Sequence, residues 1–372
     1  MRKIVILGGY GNFGKRIAEG LCHLEDVEIL VVGRSLDKAQ RLVDELLKSS
    51  KARLSPINFN VFHSNFEKWI VELSPYLVIH TSGPFQGQKY QVPKACIKAG
   101  AHYIDLADGR EFVCGISELD EMAKQKKLLL VTGASSVPGL SSTVVEHFKD
   151  QFEQVDSIDM AIAPGNKAER GEATIRGILS YTGHSFKGFK NGKWQNIYGW
   201  MDARKLDMGD SVGKRWLANV DVPDLALFPE RYQVKNRVSF QAGLEVSALH
   251  LTMVAMAWLS KIGLVNNWAP LTKIIAKTAN WFNSFGTDKG GMQVLIKGKD
   301  HQGKKKSITW RLFADNGIGP YIPTISTLIL AEKLIAEEVD NFGAMPCLGL
   351  YRLAEFEEYV RDMDIFIGVD SS

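Results

Sequence analysis

The apolar run Ile4-Val5-Ile6-Leu7 passes straight into Gly8-Gly9-Tyr10-Gly11-Asn12-Phe13-Gly14, and an amphipathic stretch follows to Leu24. A glycine triplet with this spacing is a weak signal alone. Here it ends a predicted strand and opens a predicted helix, which is the context the motif requires. Gly9 permits a tight turn, Gly11 lets backbone approach a pyrophosphate, and Gly14 lets the helix pack on the strand. The helix N-terminus then offers N–H groups and a partial positive charge to phosphate oxygens. Gly9, Tyr10, Gly11, Asn12, Phe13 and Gly14 are therefore the expected cradle of a dinucleotide. The bland alternative is a structural glycine turn.

The choice of dinucleotide is read at the end of the second strand, about 20 residues beyond the last glycine. An NAD-binding chain places Asp or Glu there for the ribose 2′-hydroxyl. This chain has Gly33-Arg34-Ser35, with Lys38 one turn on. A guanidinium can pair with a 2′-phosphate, and a hydroxyl can donate to the same group. Arg34, Ser35 and Lys38 point to NADP; a solvated arginine at a strand end is the alternative.

Residues 1 to about 140 alternate short β-branched runs with helical segments, the pattern of βαβ units. The predicted strands are Ile4–Leu7, Glu28–Val32, Asn58–Phe62, Tyr76–Thr81, His102–Leu106 and Leu128–Thr132. Six strands and five crossovers make an α/β fold of Rossmann type, a doubly wound parallel sheet. After Pro138-Gly139 the texture changes. A strand is predicted over Asp156–Ala163, a hairpin turns at Asn191-Gly192, and another joins Met292–Lys297 to Ser307–Phe313. This is an inserted α+β region with an antiparallel or mixed sheet, and helix returns over Thr324–Glu338.

Composition excludes more than it selects. The chain has 372 residues, with 45 Lys+Arg against 42 Asp+Glu and a formal charge of +3. The charges are interspersed, so a nucleic-acid partner is not expected. The four cysteines, Cys22, Cys96, Cys114 and Cys347, form no CxxC pair. No His or Cys spacing suits a metal. Free thiols fit a cytoplasmic chain, and the opening apolar run is too short for a signal segment. Ser247–Ser260 is the most apolar stretch. It reads as a buried helix or subunit interface, with membrane contact through 247–285 as the alternative.

Further motifs resemble the saccharopine dehydrogenase family in its NADP-binding domain. They are Ser82-Gly83-Pro84-Phe85-Gln86-Gly87-Gln88, His102-Tyr103-Ile104-Asp105-Leu106-Ala107-Asp108-Gly109 and Gly133-Ala134-Ser135-Ser136-Val137-Pro138-Gly139-Leu140. Later stretches, Val220–Asp224 and Gly343–Leu348, resemble compact bacterial members. The resemblance is tight over 1–145 and looser beyond. It implies a first domain of 1–140 with 318–372 and a substrate or oligomerisation domain of 141–317, in a homodimer. It implies NADP-dependent hydride transfer to or from a C–N bond, an imine or secondary amine, of a small amino-acid-like substrate. Ser82, Gly83 and Pro84 would lie at the cofactor, with Phe85 on the substrate side.

The predicted strand ends agree, because open α/β sheets bind ligands at the carboxyl edge. Asp105 is the first candidate for proton transfer, with Ser136 as a positioning hydroxyl. A helix cap and a turn residue are their plain readings. Asp108 is equally readable as a helix cap or a ligand. His102 falls on the opposite strand face from Asp105 and reads as structural. Arg215, beside Trp216, is the candidate for a substrate carboxylate. Tyr90 and Lys94 have the YxxxK spacing of short-chain dehydrogenases, but Pro93 between them fits only a helix's first turn. Two other functions stay open: an NADP-binding sensor or scaffold without turnover, and a membrane-associated reductase of a lipid-like substrate.

Overall fold

The computed structural model describes residues 1–209 and 211–372. It divides into two compact units, Met1–Leu140 with Tyr321–Tyr351 and Ser141–Pro320 with Arg352–Ser372.

In the first unit the apolar runs become strands β1 (Arg2–Leu7), β2 (Val27–Gly33), β3 (Arg53–Asn58), β4 (Leu77–His80), β5 (His102–Asp105) and β6 (Leu129–Thr132). They lie in the order β3-β2-β1-β4-β5-β6, all parallel, with a seventh strand, Gly343–Pro346, beside β6. Every residue of β4, β5 and β6 is buried, as expected of strands covered on both faces. The register sets Leu7 beside His80 and His80 beside Asp105, so the loops that carry the site leave one sheet edge.

Two expectations are corrected. The third strand is Arg53–Asn58, not Asn58–Phe62. It is an edge strand, where Pro56 costs no ladder bond. Phe59 lies beyond it, stacked on Trp69 with ring centroids 4.3 Å apart. Of the expected 318–372 return, only 321–351 joins the first unit. The last strand, Ile365–Ser371, pairs in the second sheet instead.

The second unit is built on β7 (Gln154–Ala163), β8 (Ser185–Lys190), β9 (Lys193–Tyr198), β10 (Arg204–Asp207), β11 (Lys214–Asn219), β12 (Arg237–Ala242), β13 (Gly290–Lys299) and β14 (Lys305–Ala314). Its path is β10-β11-β12-β7-β13-β14 and then Ile365–Ser371, with the β8–β9 hairpin attached to β12. Only β7 and β12 run parallel, so the sheet is mixed. The β8–β9 turn has positive φ at Asn191 and Gly192, as its sequence predicts. On one sheet face Met292, Val294 and Ile296 oppose Leu312, Trp310 and Ile308, all six buried.

Ser247–Lys261 is a helix. Among the described residues no helix is long and apolar enough to cross a membrane. Of the two readings expected, a buried helix or a subunit interface, the first does not hold within this chain: His250, Met253, Ala257 and Ser260 face inward while Leu251, Trp258 and Leu259 are exposed.

Candidate cofactor site

The glycine loop is shaped by approaches that leave no room for a side chain. At Gly14 a Cβ would stand 2.2 Å from the Gly8 carbonyl oxygen and 2.8 Å from Gly9 Cα. Gly8 itself has φ +79°, and a side chain there would press on Thr81 and Ser82. The turn is closed by Gly11 N–H donating to Gly8 O at 2.8 Å. The helix Asn12–Leu21 starts from Gly11 with no side-chain cap, so its positive end is left to a ligand. Asn12 has a second task, because its carbonyl and side-chain oxygens both accept from Arg16.

Tyr10 joins this loop to the end of β2. Its hydroxyl accepts from Ser35 N–H at 3.0 Å. Its ring lies over Gly33, where a Cβ would be 2.2 Å from the ring edge. The reading of the sequence missed Gly33 as a site residue; the signal was a glycine directly before Arg34. Ser35 caps the helix Leu36–Leu46 by accepting from Lys38 N–H at 3.4 Å, which leaves its own proton to donate outward. Arg34 and Lys38 are exposed. Among the described residues no hydrogen bond or ion pair engages either side chain. The end of β2 thus carries two unpaired cations and a hydroxyl.

Thr81 Oγ1 donates to Leu7 O at 2.8 Å, placing Ser82 over Gly8. Gln88 Nε2 donates to Ser82 O at 3.1 Å and Pro84 O at 2.7 Å, which holds the loop after β4. Ser82, Gly83 and Pro84 are half-buried on this loop. Phe85 turns inward instead, 5% exposed, against His80 and Phe112. That correction follows from packing, since a ring held in an aromatic cluster supports the loop from beneath.

Asp105 is fully buried. Its Oδ1 accepts from Ala107 N–H at 2.8 Å, Thr132 Oγ1 at 2.8 Å and Gly133 N–H at 2.9 Å, so it ties β5 to the end of β6. Burial outweighs these bonds and raises its carboxyl to about 6. Beside it His80, also fully buried, is pushed down to about 3 and stays neutral, bonded to the Tyr103 hydroxyl at 3.1 Å. Ser136 is 9% exposed in the turn after β6, which Ser326 and Thr327 hold by donating to Ser135 O and Ala134 O. His102 accepts from Leu129 N–H at 3.0 Å, a structural bond. Asp108 is not the helix cap, which is Gly109; its carboxylate accepts from Gln86.

In the second unit Arg215 pairs with Glu245 at 3.0 Å, both side chains largely buried. Glu245 also accepts from Asn166 N–H and from Thr287. The cation predicted for a substrate carboxylate is already neutralised by a carboxylate of its own unit.

Residues 4–131 match the family model described as the saccharopine dehydrogenase NADP binding domain. The match spans about a third of the chain and indicates an NADP(H)-binding domain. It is the domain of an NAD(P)-dependent oxidoreductase, and the glycine loop and Arg34 both lie within it. No curated protein matches the chain. Among solved structures, an apo saccharopine dehydrogenase (L-Glu forming) from Saccharomyces cerevisiae matches all of both chains at 11% identity and a TM-score of 0.68. A meso-dapdh mutant with DAP from Clostridium tetani matches 97% of this chain and 99% of that one at 12% identity and a TM-score of 0.47. The first likeness carries the fold: a parallel dinucleotide sheet and a second, mixed sheet.

Two outcomes test this geometry. Gly14→Ala should abolish NADPH binding measured by fluorescence titration, because the added carbon must separate helix from loop; binding within about twofold of the parent would contradict the packing. For Asp105, the unfolded chain ionises near 3.8 and the folded one near 6. The fold favours the protonated acid, so this stability is fully present below about pH 4 and is lost as pH rises through about 6. Asp105→Asn has no proton to lose. Its urea midpoint should gain on the parent between pH 4 and 7, and a pH-independent difference would refute the raised value.

Proposed function

We propose that the protein is an NADP-dependent oxidoreductase of the saccharopine dehydrogenase type, moving a hydride to or from the carbon of a C–N bond in an amino-acid-like substrate. The observation that carries the cofactor half is the unpaired pair Arg34 and Lys38 beside the Ser35 cap. These three hold the 2′-phosphate, Arg34 through its fork, Lys38 as a point charge and Ser35 through its hydroxyl. Backbone of Gly9, Gly11 and Gly14, with Tyr10, Asn12 and Phe13 between them, takes the pyrophosphate, and Ser82, Gly83 and Pro84 border it. The family of the NADP-binding domain supports the chemical half, as does the fold shared with saccharopine dehydrogenase.

NADPH supplies the hydride when bound. In the reducing direction the imine carbon accepts that hydride while the nitrogen takes a proton, so imine, NADPH and H⁺ give amine and NADP⁺. Asp105 acts here as a positioning residue, holding the β5 and β6 loops at one edge. Ser136 borders the same edge. With Asp105 and Arg215 both engaged, a second reading also has support: an NADP-binding sensor that does not turn the cofactor over.

Arg34→Ala removes a charged hydrogen bond of about 1.5–3 kcal/mol. It should weaken NADPH by roughly 10- to 100-fold and leave NADH within about twofold. Equal weakening of both would refute the 2′-phosphate role. NADPH oxidation across amino acids paired with aldehydes and 2-oxoacids tests the chemistry. Turnover on a pair supports the reductase, and tight binding without turnover on any pair supports the sensor.

A further inference from the structure

The helix Ser247–Lys261 buries one narrow face and leaves large apolar side chains on the other. Its inward positions include His250, fully buried, and Ser260, while Leu251, Trp258 and Leu259 point to solvent, followed by Ile262 at 63% exposure. The inward polar groups are used: Ser260 Oγ accepts from Trp268 Nε1 at 2.8 Å, and His250 Nδ1 accepts from Leu244 N–H at 3.4 Å. The next segment repeats the pattern, with Leu264, Ile274, Trp281 and Phe285 each more than 60% exposed. Half of the large apolar side chains exposed among the described residues fall in 251–285. Clustering of this kind marks a surface that something covers.

Charge selects what covers it. From Val246 to Thr287 the chain contains no Asp or Glu, while Lys261, Lys273 and Lys277 are all exposed. Lys261 Nζ lies 4.9 Å from the Trp258 ring centre and 4.4 Å from that of Tyr198. A second copy docking by two-fold symmetry would bring lysines to lysines with no acid in the segment to answer them. An anionic bilayer surface answers all three. Its headgroups take the ammonium groups, and its interface takes indole rings. A 15-residue helix spans about 22 Å, short of the roughly 30 Å hydrocarbon core, so it lies in the surface and does not cross.

We propose that the Leu251–Phe285 surface docks the protein on anionic lipid, with Trp258, Ile262 and Trp281 entering the interface and Lys261, Lys273 and Lys277 meeting headgroups. The inference is independent of the reaction catalysed.

Flotation of the full-length protein with phosphatidylcholine vesicles containing about 30% phosphatidylglycerol tests it. The protein should float with these vesicles at low salt, and about tenfold less with phosphatidylcholine alone or in about 0.5 M salt. Trp258→Ser with Trp281→Ser should abolish flotation, and Lys273→Glu with Lys277→Glu should weaken it more than about tenfold, with NADPH binding unchanged in both. A protein that stays unbound under every condition overturns the proposal. So does a concentration-dependent dimer in light scattering that the tryptophan variant splits while vesicles fail to bind, for the occupant is then a second copy. Flotation that both variants retain in full overturns it too.

Discussion

The closeness of Gly14 to the Gly8 carbonyl is the constraint on which the rest of the site depends. With 2.2 Å between that oxygen and the position of a Cβ, only glycine lets the helix Asn12–Leu21 start over the end of β1. The same economy recurs one strand away, where Gly33 leaves space for the Tyr10 ring. Through that ring the phosphate loop is tied to Ser35, and through Ser35 to the helix that carries Lys38. The glycine loop and the end of β2, proposed to hold the pyrophosphate and the 2′-phosphate, are therefore one mechanical piece, built from missing side chains and one phenol.

Within the parallel sheet lies a buried polar layer. Asp105 holds three donors from the loops after β5 and β6, and its burial makes it a weak acid. His80 beside it stays neutral for the same reason. Arg34 and Lys38 carry their charge in solvent, whereas in the sheet the imidazole of His80 is held neutral, because burying an ion is costly.

What could be read from the sequence was local. The glycine loop, the parallel strands, the Asn191-Gly192 turn and Arg34 follow from spacing and backbone chemistry within a few residues. What could not be read depended on distant partners. Glu245, which neutralises Arg215, lies 30 residues away, and the partner of Ile365–Ser371 is β14. Phe85 was misplaced because a motif names a loop and not the direction of its rings. The helix Ser247–Lys261 was expected to be a buried helix or a subunit interface because of its apolar composition. Only the structure shows that its apolar side chains divide between an inward face, with Met253 and Ala257, and an exposed one, with Leu251, Trp258 and Leu259.

The proposed reaction passes a hydride between NADPH and a carbon bonded to nitrogen. Supplying NADPH deuterated at the nicotinamide C4 with an amino acid and an aldehyde, then locating the label by mass spectrometry, addresses it most directly. Deuterium is expected on the carbon of the newly formed C–N bond. Deuterium on an alcohol carbon instead, from direct reduction of the carbonyl, would contradict it.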